Sequence, residues 1–222
     1  MIKALLMIFD PAGTWDRIVL NRRSWPFILI FYLLPLLVLA GVAEGYGLIK
    51  WGKPRGEISQ IQVFSNSNAL IFEVLQLLLM LLIVFVGAWL IKALGETFHG
   101  RHTFNQAFTV AAYGLSPVFT MRILDMFPGV SSWVYWATWI IGIFLCTATL
   151  YHGIPRVMQP DPSHAFGLYV VSVVFLTLVS GLERFLAYWY LDGKFGKLDV
   201  FMAKLVAHLP FLQSFDKIHF LK

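Results

Sequence analysis

A single cysteine in 222 residues, Cys146, leaves no partner for an intrachain disulfide. It sits inside an apolar run, where a free thiol behaves as a small packing hydrophobe. Charge is scarce too. Only 13% of residues are Asp, Glu, Lys or Arg, 59% are hydrophobic, and mean hydropathy is +0.74. Soluble domains run at about 25% charged and about 45–50% apolar. That balance points to an integral membrane protein, and counting the apolar runs leaves no stretch for a separate soluble domain. The net charge of +5 therefore implies anionic lipid as the partner, not nucleic acid. The sequence has no glycine-rich nucleotide loop, no zincin His-Glu-x-x-His and no serine nucleophile elbow. No nucleophile–base pair can be assembled, so the chain is expected to be non-enzymatic, with no cofactor. Internal repeats and low-complexity runs are also missing. The start does not read as a cleavable signal, because the apolar stretch to Phe9 is short and Asp10-Pro11 follows it. The first true span would then act as an uncleaved insertion signal.

What is present is a series of long apolar segments. Met1 to Phe9 reads as a short interfacial helix ended by Asp10 and Pro11. Trp15, Ile18 and Val19 carry the amphipathic pattern on toward Arg22 and Arg23. Trp25 to Ala43 holds 19 uncharged residues, enough at about 1.5 Å each to cross a core of about 30 Å with some interfacial matching. Pro26 suits the first turn, and Pro35 predicts a kink. Gly41 and Gly45 form a close-packing pair with Glu44 between them. A polar connection follows from Lys50 to Asn68. The second span, Val74 to Ile91, has Gln76 as its one polar residue, with Glu73 before it and Lys92 after it.

The third segment, about Asn105 to Met121, is the weakest in hydropathy and the richest in small residues. Ala107, Ala111, Ala112, Gly114 and Ser116 invite close helix approach, and Pro117 breaks the hydrogen-bond ladder. This predicts a kinked central helix, closed by Arg122 and Asp125 as a local charge pair. The fourth span, Trp133 to Tyr151, is bounded by aromatics suited to the water–lipid boundary. Its Gly142 and Cys146 form a small-residue stripe expected to meet Ala107, Ala111 or Gly114. The fifth runs from Ala165 to Leu182 and meets Glu183 and Arg184. In the tail from Lys194, Leu198, Met202, Leu205 and Leu209 share one helical face, while Lys197, Lys204 and His208 share another. The organisation is thus an interfacial segment (1–24), a five-span membrane domain (25–191) and an amphipathic tail (192–222). The fold class is all-α: a polytopic five-span helical bundle with amphipathic interfacial helices at both ends.

With five spans the termini lie on opposite sides. Lys3, Arg17, Arg22, Arg23, Lys92, Arg101 and Arg156 share the N-terminal side. Lys50, Lys53, Arg55, Arg122 and the tail lysines lie opposite. The first helix weighs most in orientation, which favours a cytoplasmic N-terminus.

Several stretches together resemble one family. Asp10-Pro11 with Trp15 precedes a first span containing Tyr32-Leu33-Leu34-Pro35-Leu36. Tyr113 to Pro117 follows in the third span. Tyr151-His152-Gly153 leaves the fourth, and a short proline-bearing loop enters the fifth. From about Asp10 to Tyr190 the chain is similar to the Yip family, membrane proteins known for interacting with Ypt/Rab GTPases and having many bacterial relatives. The resemblance implies a five-span bundle with a cytoplasmic N-terminus. Eukaryotic members carry a long cytosolic N-terminal region, whereas about 24 residues precede the first span here. That departure argues against a Rab-type partner and for a bacterial inner-membrane relative.

Three sets of residues are candidates for chemistry. With the N-terminus cytoplasmic, the turn after span two and the loop after span four gather His99, His102, His152 and His164 near Glu96 and Asp161. Imidazole and carboxylate ligate zinc or a similar ion, and interfacial histidines with tips in the headgroups are the plainer reading. The intramembrane acids Glu44, Glu73 and Glu183 are the second set, because buried charge is costly enough to mark function. Each lies near a span end, where anchoring at the interface is the alternative. The amphipathic ends form the third set, as lipid-binding or anchoring elements. Ala107, Ala111, Gly114 and Pro117 read as packing and kink residues. The function expected is a membrane scaffold or adaptor that partners membrane lipid and a membrane protein or a second copy of itself. The alternative is a small transporter or channel for an ion or small solute.

Overall fold

The computed structural model describes residues 2–55, 60–97, 102–127 and 132–208. Two short helices, α1 (Ile2–Phe9) and α2 (Pro11–Asn21), precede the first span, α3 (Trp25–Lys50). A two-stranded antiparallel hairpin, β1 (Lys53–Arg55) and β2 (Gln60–Gln62), links α3 to α4 (Asn66–Thr97). The third span is α5 (Phe104–Gly114) and α6 (Ser116–Met121), continued by a 3-10 turn over Arg122–Met126. α7 (Ser132–Met158), α8 (Pro162–Leu191) and α9 (Gly196–His208) complete it. Five helices are long and apolar enough to cross a membrane. All run past the apolar windows read from the sequence, because a helix need not stop where the hydrocarbon does. α4, at 32 residues, is about 48 Å long against a core of about 30 Å.

The third span is the centre of the bundle. Its apolar window is 78% buried, against 33% or less for the others, as its small residues and low hydropathy predict. Thr103 caps it in a reciprocal box with Gln106, and Gln106 also donates to the Val157 carbonyl at 3.1 Å. Asn105 accepts from the Trp25 backbone N–H and donates to the Arg23 carbonyl, tying the start of span one to span three. At Pro117 the helix loses the N–H that would bond the Tyr113 carbonyl. The Ser116 hydroxyl donates to that carbonyl at 2.6 Å instead, so the Tyr113 carbonyl is not left unpaired in the apolar interior. Pro35 is accommodated differently. Its ring would crowd the Phe31 carbonyl, and the helix widens into a π-turn over Leu29–Leu33, as helices do where a proline interrupts the ladder.

The structure refines four expectations. The amphipathic N-terminal helices also pack on the bundle. α1 packs against α6 and α7, and α2 against α7, burying Ala4, Met7, Trp15 and Ile18 while Leu5, Phe9 and Leu20 face outward. Gly142 meets the Pro117–Val118 backbone, not Ala107, Ala111 or Gly114; Gly114 makes room for Leu150. Gly41 and Gly45 do pack closely, but what they admit is the Glu73 side chain, whose Oε2 lies 3.0 Å from where a Cβ on Gly41 would stand. The last correction is to the charge pair, described below. In the tail α9 packs on α4. The apolar face expected there falls on side chains outside the described residues.

Candidate functional site

The three acids singled out from the sequence converge. Glu44 of α3, Glu73 of α4 and Glu183 of α8 are carried about two turns inside the ends of their helices. They are not splayed toward the interface: Glu44 is 2% and Glu183 6% exposed. Arg122, at the end of the third span, lies against two of them. Its Nη2 is 2.6 Å from Glu44 Oε2 and 3.4 Å from Glu73 Oε2, and its Nε donates to Glu44 at 2.7 Å. Glu183 accepts from the Gln76 amide at 3.1 Å.

Arg122 is thus not the local partner of Asp125. Asp125 pairs bidentately with Arg184 of α8, at 2.5 Å and 2.9 Å. Thr138 of α7 donates to Asp125 at 3.0 Å, and the Arg184 guanidinium also donates to the Tyr135 carbonyl and the Thr138 hydroxyl. Its Cζ lies over the Tyr135 ring, 3.3 Å from the centroid, a cation–π contact that arginine favours. Together these three bonded groups form a network that takes a polar or charged side chain from each of the five spans. Burial makes it consequential, since a desolvated charge is tolerated only when paired and hydrogen-bonded.

Lys53 of β1 covers the outer end of the network. It is 6% exposed, with Nζ 3.8 Å from the Tyr135 centroid and 5.7 Å from that of Tyr188. Loss of hydration lowers its pKa from 10.5 to about 8, with Glu44 the largest influence pulling it upward. The unfolded chain therefore binds more protons than the folded one between about pH 8 and 10.5, and stability contributed by this group rises across that window. The unfolding midpoint of the wild type is expected to gain on that of Lys53→Met as pH is raised from 8 to 10.5. Parallel curves for the two proteins would show that Lys53 keeps its proton throughout.

His102, His152 and His164 belong to no group of three metal-ligating side chains among the described residues. His102 is buried beside Gly95, and burial lowers its pKa against the upward pull of Glu96. His152 offers its carbonyl to Arg156 and its ring edge-on to Tyr151. His164 Nδ1 meets the Ser163 hydroxyl at 3.0 Å. Among the described residues no three His, Cys, Asp or Glu side chains are grouped for a metal ion, and His99 lies outside the described residues.

Sequence reasoning missed Arg184 and Lys53. The signal for Arg184 was its position directly after Glu183, with apolar residues on both sides of the pair.

At the opposite end of the bundle, the segments behind the family resemblance meet in space. The Trp15 indole donates to the Thr149 carbonyl at 2.8 Å, and its ring fills the space a side chain on Gly153 would take. Tyr113 packs edge-on to Trp15 at 6.0 Å and lies 4.2 Å from the Tyr32 ring. Fold and buried network together define an integral, polytopic helical membrane protein. The Yip1 domain matches residues 5–182, and the chain belongs to that family. No curated protein and no solved structure matches it.

Proposed function

We propose that the protein is a non-enzymatic membrane scaffold or adaptor of a bacterial inner membrane, with its N-terminus cytoplasmic. One observation carries the reading: three buried polar groups take side chains from all five spans between them, and each group bonds different spans together. A helix bundle tied in this way is a fixed platform. At its other end α1 and α2 are docked by Trp15 and by the Asp16–Arg156 pair at 2.8 Å, which holds a basic face in a defined shape. Such a face suits anionic lipid and the acidic surface of a membrane-protein partner or a second copy.

A transporter or channel is the second reading. It is favoured by Glu73 Oε1 and Gln76 Oε1, buried without a hydrogen-bond partner. Intramembrane acids of that kind serve proton and ion paths. Reconstitution in liposomes separates the two. The scaffold reading expects proton and cation flux no greater than in empty liposomes, unchanged in Glu73→Gln. It also expects the full chain to co-purify from its native membrane with the same protein or lipid set as that variant. Flux through the wild type that Glu73→Gln abolishes would replace the scaffold with the transporter.

A further inference from the structure

A cavity of about 320 Å³ opens at the basic end, between α2, the start of α3, α5 and the end of α7. Lys3, Arg22, Arg23 and Arg156 line it, with Asn105 and Tyr113. No carboxylate lines it among the described residues. Arg156 is partly neutralised by Asp16; among the described residues Lys3, Arg22 and Arg23 make no ion pair. Three cations thus converge on a hollow that supplies no anion of its own.

The backbone around the cavity is unusual. Arg22 (φ 40°) and Gln159 (φ 47°) are the non-glycine residues with positive φ among the described residues, and both line this cavity. Each ends a helix, a position where glycine would adopt the left-handed conformation freely. Non-glycine residues held there mark strain of the kind that clusters at binding sites.

A second hollow, about 470 Å³, adjoins the first and shares Lys3, Asn21, Arg23 and Tyr113 with it. It continues along Phe27 and Phe31, which are 39% and 67% exposed on the outer face of the first span. The Arg23 guanidinium lies 4.6 Å above the Phe27 ring, at the junction of the basic and aromatic parts. The combined shape is a cationic cup leading into an apolar groove that faces the lipid.

We propose that this composite cavity binds the phosphate-bearing headgroup of an anionic phospholipid, with an acyl chain laid along Phe27 and Phe31. Arginine forks and the Lys3 ammonium complement phosphate oxygens, while Asn105 and the Tyr113 hydroxyl supply neutral polar contacts. A free phosphate ion would satisfy the cup but leave the aromatic groove unused, which favours the lipid as source. The proposal rests on the basic face of the scaffold reading and names its ligand and site; lipid retention tests it separately from the flux and partner measurements that test the scaffold.

The test is lipid retention by the full chain in detergent, followed by native mass spectrometry with added phosphatidylglycerol, phosphatidylcholine or inorganic phosphate. Wild type is expected to retain phosphatidylglycerol over phosphatidylcholine. The double variant Arg22→Gln/Arg23→Gln should lose about tenfold or more of that retention, since each cation near the lipid surface contributes severalfold. Arg22→Lys/Arg23→Lys should keep most of it. Lys3→Gln, on a different element, should weaken retention about fivefold and carries the test if the arginine variants do not fold. Equal retention by wild type and these variants would overturn the proposal. Saturable binding of inorganic phosphate with no preference for phosphatidylglycerol would overturn the lipid as ligand.

Discussion

Arg122→Leu is expected to lower stability by about 3–5 kcal/mol, the range for removing one partner of a buried ion pair. Arg122 is 4% exposed and contacts Glu44 and Glu73 on two other spans. Its loss leaves two carboxylates in an apolar interior without the guanidinium that bonds both. Unfolding by graded SDS in mixed micelles, followed by far-UV circular dichroism, would show the midpoint falling sharply. Arg122→Lys should fall between the two, because an ammonium keeps the charge but not the fork that reaches both acids. A midpoint for Arg122→Leu within error of the wild type would mean the network contributes nothing to the fold.

The second large effect lies at the other end of the molecule. Trp15 is fully buried, 0% exposed, and truncating such a side chain to alanine costs about 3–5 kcal/mol. Trp15→Ala also removes the bond that its indole N–H gives the Thr149 carbonyl. The spans keep their own contacts, so the expected result is local: α1 and α2 detach while the bundle persists. Limited proteolysis should then cut before Trp25 far faster than in the wild type, leaving a membrane-embedded core. Trp15→Phe, which keeps a ring and loses the hydrogen bond, should cost about 1 kcal/mol. Unchanged cleavage in Trp15→Ala would mean the N-terminal helices are held by something other than this anchor.

These two sites also divide what could be read from the sequence. The five spans were legible because each apolar run has a length that only a membrane demands. The central place of the third was legible because small residues and weak hydropathy suit protein neighbours better than lipid. The ion pairs were not legible. Arg122 and Glu44 are 78 residues apart, and Arg184 and Asp125 are 59 apart; linear spacing says nothing about partners on different helices. The pairing it did suggest, Arg122 with Asp125, failed because each side chain turns to a different span. The N-terminal helices were ambiguous for another reason. Met7, Trp15 and Ile18 form an apolar face that suits lipid and protein equally, and the residue that decides is Gly153, on another helix. The hairpin between spans one and two was not read at all, since three-residue strands are too short to display a period.

The central claim is that cross-span ion pairs lock the bundle, and a double-mutant cycle on Asp125 and Arg184 tests it most directly. Asp125→Asn and Arg184→Gln each leave one buried charge unpaired, whereas the double variant leaves none. The lock requires the double variant to be more stable than the sum of the single losses implies, by at least about 1.5 kcal/mol, within the range seen for directly bonded charges. Losses that add to within about 0.5 kcal/mol would show that the two residues do not act as a pair, and would contradict the account.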